Sequence, residues 1–364
     1  MSNLSCGIVG LPNVGKSTLF NALTKKGAQA ANYPFCTIEP NVGIVPLEDP
    51  RLDVLAKISK TKQIIPAQVT FVDIAGLVKG ASQGEGLGNQ FLANIRETDA
   101  IVHVVRCFED PNVIHVSGRV HPIDDIEVIN TELVLSDLQM IENVIARLEK
   151  QLKSKKELGP TVDTLKKVYQ ALNQGLPARS VSLTEEEQEL IKIYPMITSK
   201  KVVYACNVDE EALATMSNTY VEQVKEYAKK ENSSVIVLCA KLEEELAQLS
   251  KEEAKEFLQT LGLSDTGLNR LIKESFKILG LITFLTTGDI ETRAWTVNIG
   301  AKAPQAAGKI HSDLEKGFIR AEVISYADFV SCGSRANAKE QGKARMEGKD
   351  YLVQDGDVIL FYHN

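Results

Sequence analysis

Short continuous apolar runs recur along the chain at Cys6–Val9, Val69–Val72, Ala100–Phe108, Lys201–Cys206 and Ser234–Ala240. Runs of this length without polar alternation predict strands buried on both faces, as in a parallel sheet. Thr18–Thr24 carries a helical pattern directly after the first run, and Ile44-Val45 is strand-like. From Ile126 to Lys155 the period changes. Val134, Leu138, Ile141, Ile145, Leu148 and Leu152 follow 4-3-4-3-4 spacing, Gly159-Pro160 interrupts, and Val162, Leu165, Tyr169 and Leu172 resume at 3-4-3. Two such stripes joined by a Gly-Pro turn predict an antiparallel coiled-coil hairpin inserted into the sheet domain. Beyond Gly280, the strand-like segments Leu281–Leu285, Ala294–Ile299, Phe318–Ile324 and Val358–Tyr362, a short helix over Gln305–Ser312 and the turn Gln354–Asp357 predict a small mixed β/α domain. The expected division is therefore 1–124 with 200–279 as one α/β domain, 125–199 as a helical insertion, and 280–364 as a third unit.

A length of 364 residues suits two or three units, and 44% apolar with 24% charged residues is ordinary for a soluble globular protein. No apolar stretch approaches the 18 or so residues of a membrane span, and Met1–Ser5 lacks a basic segment followed by an apolar one, so a cytoplasmic location and no membrane partner are expected. The six cysteines are scattered without a C-x-x-C pair, which fits a reducing compartment and gives no zinc site. A net charge of −7 speaks against indiscriminate nucleic-acid binding but leaves room for a local basic patch, and no sequence-specific DNA partner is expected. Arg147, Lys150, Lys153, Lys155, Lys156, Lys166 and Lys167 on the hairpin are either a solvated face or a contact to RNA phosphates.

Chemistry enters at Gly10-Leu-Pro-Asn-Val-Gly-Lys-Ser17, which holds the spacing G-x-x-x-x-G-K-[ST] between a strand and a helix. Its glycines let successive amides face an anion, so Asn13, Val14, Gly15, Lys16, Ser17 and Thr18 are the expected phosphate-binding set. Lys16 supplies charge to β/γ-phosphates, and Ser17 is the expected Mg²⁺ ligand. Thr37, in the Pro- and Gly-punctuated segment Asn32–Gly43, is the second candidate Mg²⁺ ligand, in the position where nucleotide hydrolases sense the γ-phosphate. Cys36 beside it is either an oxidisable thiol or an inert packed one. Asp73, ending a buried strand in Asp73-x-x-Gly76, completes the metal set, and the Gly76 amide reports the γ-phosphate.

The residue after Gly76 is Leu77, where many GTPases place a water-orienting Gln, and an aliphatic side chain cannot orient water. His115, in the loop Pro111–Gly118 after a strand's carboxyl end, is either the substitute or an ordinary surface loop histidine. His103, embedded in its apolar strand, reads instead as a core histidine. At the end of the 201–207 strand, guanine-specific proteins carry N-K-x-D, but here Asn207 is followed by Val208 and, at the Asp position, Glu210. That change weakens recognition of guanine's N1–H and amino group and leaves adenine acceptable, with Asn207 meeting the purine edge. Cys239 and Ala240, at the end of the next strand, complete the base-binding set. Asn13 adds one further expectation, since related switch proteins that use a monovalent cation carry Asn there, making K⁺ a second candidate cofactor.

Together these motifs, with Tyr33-Pro-Phe-Cys-Thr37, Asp73–Ser82, Asn207-x-x-Glu210, Ala303–His311 and the Gln354–Val358 ending, resemble the YchF subfamily of Obg-like P-loop proteins from end to end. The resemblance implies a P-loop NTPase with a doubly wound sheet, an inserted coiled coil and a C-terminal TGS domain of the ubiquitin-like β-grasp kind. It also implies Mg²⁺-dependent ATP hydrolysis with GTP as a possible second substrate, ribosome association, a hydrophobic residue in place of the catalytic Gln, and a loop histidine matching His115 as its replacement. A nucleotide-gated ribosome or RNA binder with negligible turnover, and a true GTPase, stand as the alternatives.

Overall fold

The N-terminal apolar run forms β1 (Ser5–Val9), and the glycine-bearing loop after it leads into α1 (Lys16–Ala30). The computed structural model describes residues 4–30, 42–74, 87–111 and 118–364. Along β2 (Val42–Pro46) the chain enters a second compact unit, where it forms α2 (Pro50–Ser59) and β3 (Gln63–Ile65), and it returns along β4 (Gln68–Asp73). The first unit continues with α3 (Leu87–Glu97), β5 (Ala100–Arg106), α4 (Pro122–Leu152), α5 (Gly159–Asn173), α6 (Glu185–Ile191) and β6 (Lys201–Asn207). It ends with α7 (Glu210–Thr215), α8 (Thr219–Lys230), β7 (Ser234–Leu238), α9 (Ala240–Leu246), α10 (Lys251–Thr260) and most of α11 (Gly267–Ile278).

These strands make a sheet of order β2-β4-β1-β5-β6-β7, in which β4, β1, β5, β6 and β7 pair in parallel. All seven residues of β5 are buried, so helices cover both of its faces, as the unbroken apolar run requires. β1 has β4 on one side and β5 on the other, and the crevice at the carboxyl ends of such a sheet is where ligands are held.

α4 and α5 pack as a pair whose shared core contains every position of both expected stripes. Val134, Ile141, Leu148, Val162, Leu165 and Leu172 are buried, and Leu138, Ile145, Leu152 and Tyr169 pack against them. Pro160 sits in the first turn of α5, where its missing N–H leaves no bond unmade. The middle of α4 is fixed by Asp137, a fully buried carboxylate that accepts from Ile197 N (3.0 Å), Thr198 N (2.7 Å) and Thr198 Oγ1 (2.7 Å). Arg96, near the end of α3, reaches Ser136 Oγ at 3.0 Å and Pro195 O at 2.9 Å, so α3 and α4 share one polar junction.

The second unit adds β8 (Leu281–Thr287), β9 (Glu291–Asn298), α12 (Ala303–Ile310), α13 (Ser312–Lys316), β10 (Phe318–Ser325), α14 (Tyr326–Cys332), α15 (Arg335–Glu340), β11 (Arg345–Glu347) and β12 (Asp357–His363). Its mixed sheet runs β11-β10-β12-β8-β9-β3. Phe284, Val297, Ala321, Val323 and Ile359 pack on Ala303, Ala306 and Ala307 of α12, whose small side chains let the helix lie close.

This unit differs from the expected C-terminal domain by including Ile44–Val69. The three-residue strand β3 is too short to stand alone and takes its hydrogen bonds from β9, pairing Gln63 with Glu291 and Ile65 with Arg293. Arg51 on α2 then bonds Asp355 (2.8 Å) and Thr283 (3.0 Å), residues far along the sequence that no local pattern connects to it.

Candidate functional site

The loop after β1 curls because two of its residues adopt left-handed backbone, Asn13 at φ 63° and Gly15 at φ +94°. A Cβ on Gly15 would lie 2.2 Å from Asn207 Nδ2, and one on Gly10 would lie 2.8 Å from Val104 O, so both glycines are required by close approach. α1 begins at Lys16, which puts the unpaired amides of its first turn, including those of Lys16, Ser17 and Thr18, at the mouth of the loop. Lys16 is buried, and its Nζ donates to Asp73 Oδ1 at 2.8 Å and Ile74 O at 2.7 Å. Asp73 reaches that place because β4 pairs with β1 in a register that sets Asp73 beside Ile8, with Ile74 N bonded to Ile8 O. The Ser17 side chain is exposed and that of Thr18 half-buried at the same mouth. Thr37, Gly76, Leu77, His115 and Cys36 lie outside the described residues.

At the other end of the crevice, Asn207 closes β6. Its Nδ2 donates to Val14 O and its Oδ1 accepts from Ala240 N, both at 2.9 Å. The side chain thus ties the loop after β1 to the start of α9, a role its position in the sequence did not indicate. The side-chain amide carries one hydrogen beyond that given to Val14. Val208 is buried and bonds Leu238 O through its amide, which holds the ends of β6 and β7 level. Glu210 opens α7, exposed, behind the N-cap Asp209. Burial pushes the Cys239 thiol's pKa up, and the Glu210 carboxylate adds to the rise.

Sequence reasoning also passed over Arg106. Its side chain is fully buried at the end of β5, where Nε donates to Phe108 O (3.1 Å), Nη2 donates to Asp110 O (3.3 Å), and the guanidinium lies 4.8 Å over the Phe108 ring. It thereby holds the backbone at the exit of β5. The available signal was a cation closing an otherwise apolar run. His103 is a core residue as expected. It is buried 5.5 Å from the Tyr204 ring, and burial together with nearby Arg179 lowers its pKa to about 3. Among the described residues no group of three His, Cys, Asp or Glu side chains could hold a metal ion on its own.

Two family models match the chain. One, described as a 50S ribosome-binding GTPase, covers residues 5–208, and the other, for the C-terminal part of YchF GTPases and described as a protein of unknown function, covers 281–364. A Haemophilus influenzae protein named ribosome-binding ATPase YchF is 56% identical over 99% of both chains. The chain belongs to the YchF family. A Bacillus subtilis YchF of the same name is 54% identical, again over 99% of each chain. The solved structure of a Schizosaccharomyces pombe YchF GTPase superposes with a TM-score of 0.90 at 38% identity, covering 100% of this chain and 98% of that one. A GTP binding protein from Pyrococcus horikoshii, at 21% identity and a TM-score of 0.62, shares the fold. The YchF relatives thus span both units of this chain, and the fold is the P-loop GTPase-like α/β kind.

Proposed function

We propose that this chain is a ribosome-binding ATPase that hydrolyses ATP to ADP and phosphate. The observation that carries the activity is the end-to-end likeness, at 54–56% identity, to proteins named ribosome-binding ATPase YchF. The geometry supplies the chemistry. Lys16 and the first-turn amides of α1 stabilise charge on the β/γ-oxygens, Lys16 exchanging Asp73 Oδ1 for a phosphate oxygen.

The donors present fit Mg²⁺, which takes oxygen ligands and is held by one or two protein groups together with substrate phosphates. Ser17 and Thr37 would ligate it, and Asp73 would order its shell. When bound, Mg²⁺ supplies neutralising charge to the phosphates. Gly76 couples the γ-phosphate to the segment before α3, and His115 positions the attacking water where Leu77 cannot. Val14, Asn207, Val208, Glu210, Cys239 and Ala240 form the base side. Asn13 is the candidate K⁺ ligand, and equal rates in K⁺ and Na⁺ at fixed ionic strength would remove that cation from the mechanism. Residues 125–199 act as the coiled-coil insertion, and 280–364 as a TGS module of β-grasp type.

Dissociation constants for ATP and GTP test the assignment, with ATP expected to bind no more weakly than GTP because Val208 and Glu210 replace the guanine-reading pair. A GTP preference of about a hundredfold, about 2.7 kcal/mol, would overturn it. Single-turnover hydrolysis with and without ribosomes separates an ATPase from a binder with negligible turnover.

A further inference from the structure

The basic residues of the hairpin do not form one uniform face. On the return helix Lys166 pairs with Glu149 at 2.7 Å and Lys167 with Glu187, so their charge is met within the protein. Arg147, Lys150, Lys153, Lys155 and Lys156 are all exposed at the distal end of α4 and the turn after it. Among the described residues none of these five has an ion-pair partner, and Glu149, the carboxylate in their midst, is taken by Lys166. A chain of net charge −7 therefore gathers five unneutralised cations within residues 147–156.

The hairpin presents this cluster on a rigid arm. α4 spans 31 residues, about 46 Å at 1.5 Å per residue. Its near end packs through Ile126, Ile129 and Leu133, and its far end holds α5 through Leu148, so the cationic tip stands at the far end of the arm. The chemistry of the tip narrows its partner. Leu152 and Leu158 turn into the hairpin core, and among the described residues 147–158 include no exposed large hydrophobic side chain, which leaves a membrane surface nothing to take in. The segment holds no aromatic residue on which a base could stack. Ammonium groups on flexible stems suit the phosphate backbone of a folded RNA, contacted without regard to sequence.

We propose that the hairpin tip, through Lys150, Lys153, Lys155 and Lys156 with Arg147, is a docking surface for the phosphate backbone of ribosomal RNA. This rests on the ribosome-binding function proposed above and locates one contact for it.

The test compares the full-length protein with a variant carrying Lys150→Ala, Lys153→Ala, Lys155→Ala and Lys156→Ala, and with the four Lys→Arg changes as a charge-preserving control. Binding to ribosomes and to protein-free ribosomal RNA is measured by sedimentation across a salt series. All four positions are exposed, so ATP affinity and basal turnover should match wild type. The alanine variant should lose at least about tenfold in affinity for both partners, and the slope of log K against log salt should flatten by about 0.7 to 0.9 for each phosphate contact removed. The arginine variant should retain both. Equal affinity and slope in the alanine variant would overturn the proposal while leaving ribosome binding intact. Loss on ribosomes without loss on protein-free RNA would assign the tip to an acidic ribosomal protein and overturn it as well. If wild type binds RNA through the tip but does not bind ribosomes, the ribosome reading fails and the surface stands. If wild type binds neither, both fail.

Discussion

At the scale of single residues, His115 and His103 are expected to answer to different measurements. His115 carries the proposed water-positioning role, and a group in that role contributes about 10² to 10⁴ in rate. His115→Ala should leave ATP affinity within about threefold and lower turnover tenfold or more, about 1.4 kcal/mol of transition-state stabilisation. Unchanged turnover in the folded variant would leave water ordering to backbone groups or a partner. His103 should show itself in stability instead. Its pKa lies near 3 in the native state, depressed by burial and by Arg179, against about 6.5 when unfolded. Below pH 6.5 the unfolded chain therefore binds a proton that the folded chain refuses. The stability present above pH 6.5 is lost as pH falls toward 3, by up to about 1.4 kcal/mol per unit. Urea titrations at pH 7 and pH 5 should show this loss in wild type and a smaller one in His103→Leu; identical losses would place its origin elsewhere.

Elements explain both what the sequence showed and what it hid. The strands that end at Asp73 and Asn207 were legible because each is a largely apolar run closed by one polar residue. The α4/α5 stripes were legible because 3.5-residue periodicity is local. Illegible were the contacts that only tertiary structure makes: Asn207's bonds to Val14 and Ala240, and the pairing of Gln63–Ile65 with β9. In none of these does local composition reveal the distant partner. Asp137 belongs with them. Its two oxygens satisfy three donors at residues 197 and 198, and Arg96 lies 3.7 Å from it. Burial nonetheless pushes its pKa up, against those bonds. Asp137→Ala leaves those buried donors without acceptors and should destabilise the first unit by about 3 kcal/mol, with amide exchange accelerating first around residues 195–200. Exchange there no faster than in wild type would show that the junction is held by packing alone.

For the molecule as a whole, the decisive feature is that the second unit is assembled from two distant stretches of chain. A fragment of residues 276–364 lacks the Arg51 bridge to Asp355 and Thr283 and leaves β9 with an open edge. It should be less stable and more prone to aggregate than the same fragment joined to residues 44–69 through a flexible linker. Equal urea midpoints for the two fragments would mean that the early segment is only an appendage.

The same two-part construction bears on how the protein is made. During synthesis, residues 44–69 emerge before most of the sheet to which β1 belongs, yet β8 and β9 follow more than 200 residues later. At about 5–20 residues per second, that interval lasts roughly 10 to 40 s. For that time the apolar side of α2, with Leu52 and Leu55, has no sheet to cover it, although both are buried in the finished fold. The nascent chain therefore carries this apolar segment uncovered while the rest of the first unit is synthesised, which makes residues 50–65 a segment that a chaperone working at the ribosome would meet exposed.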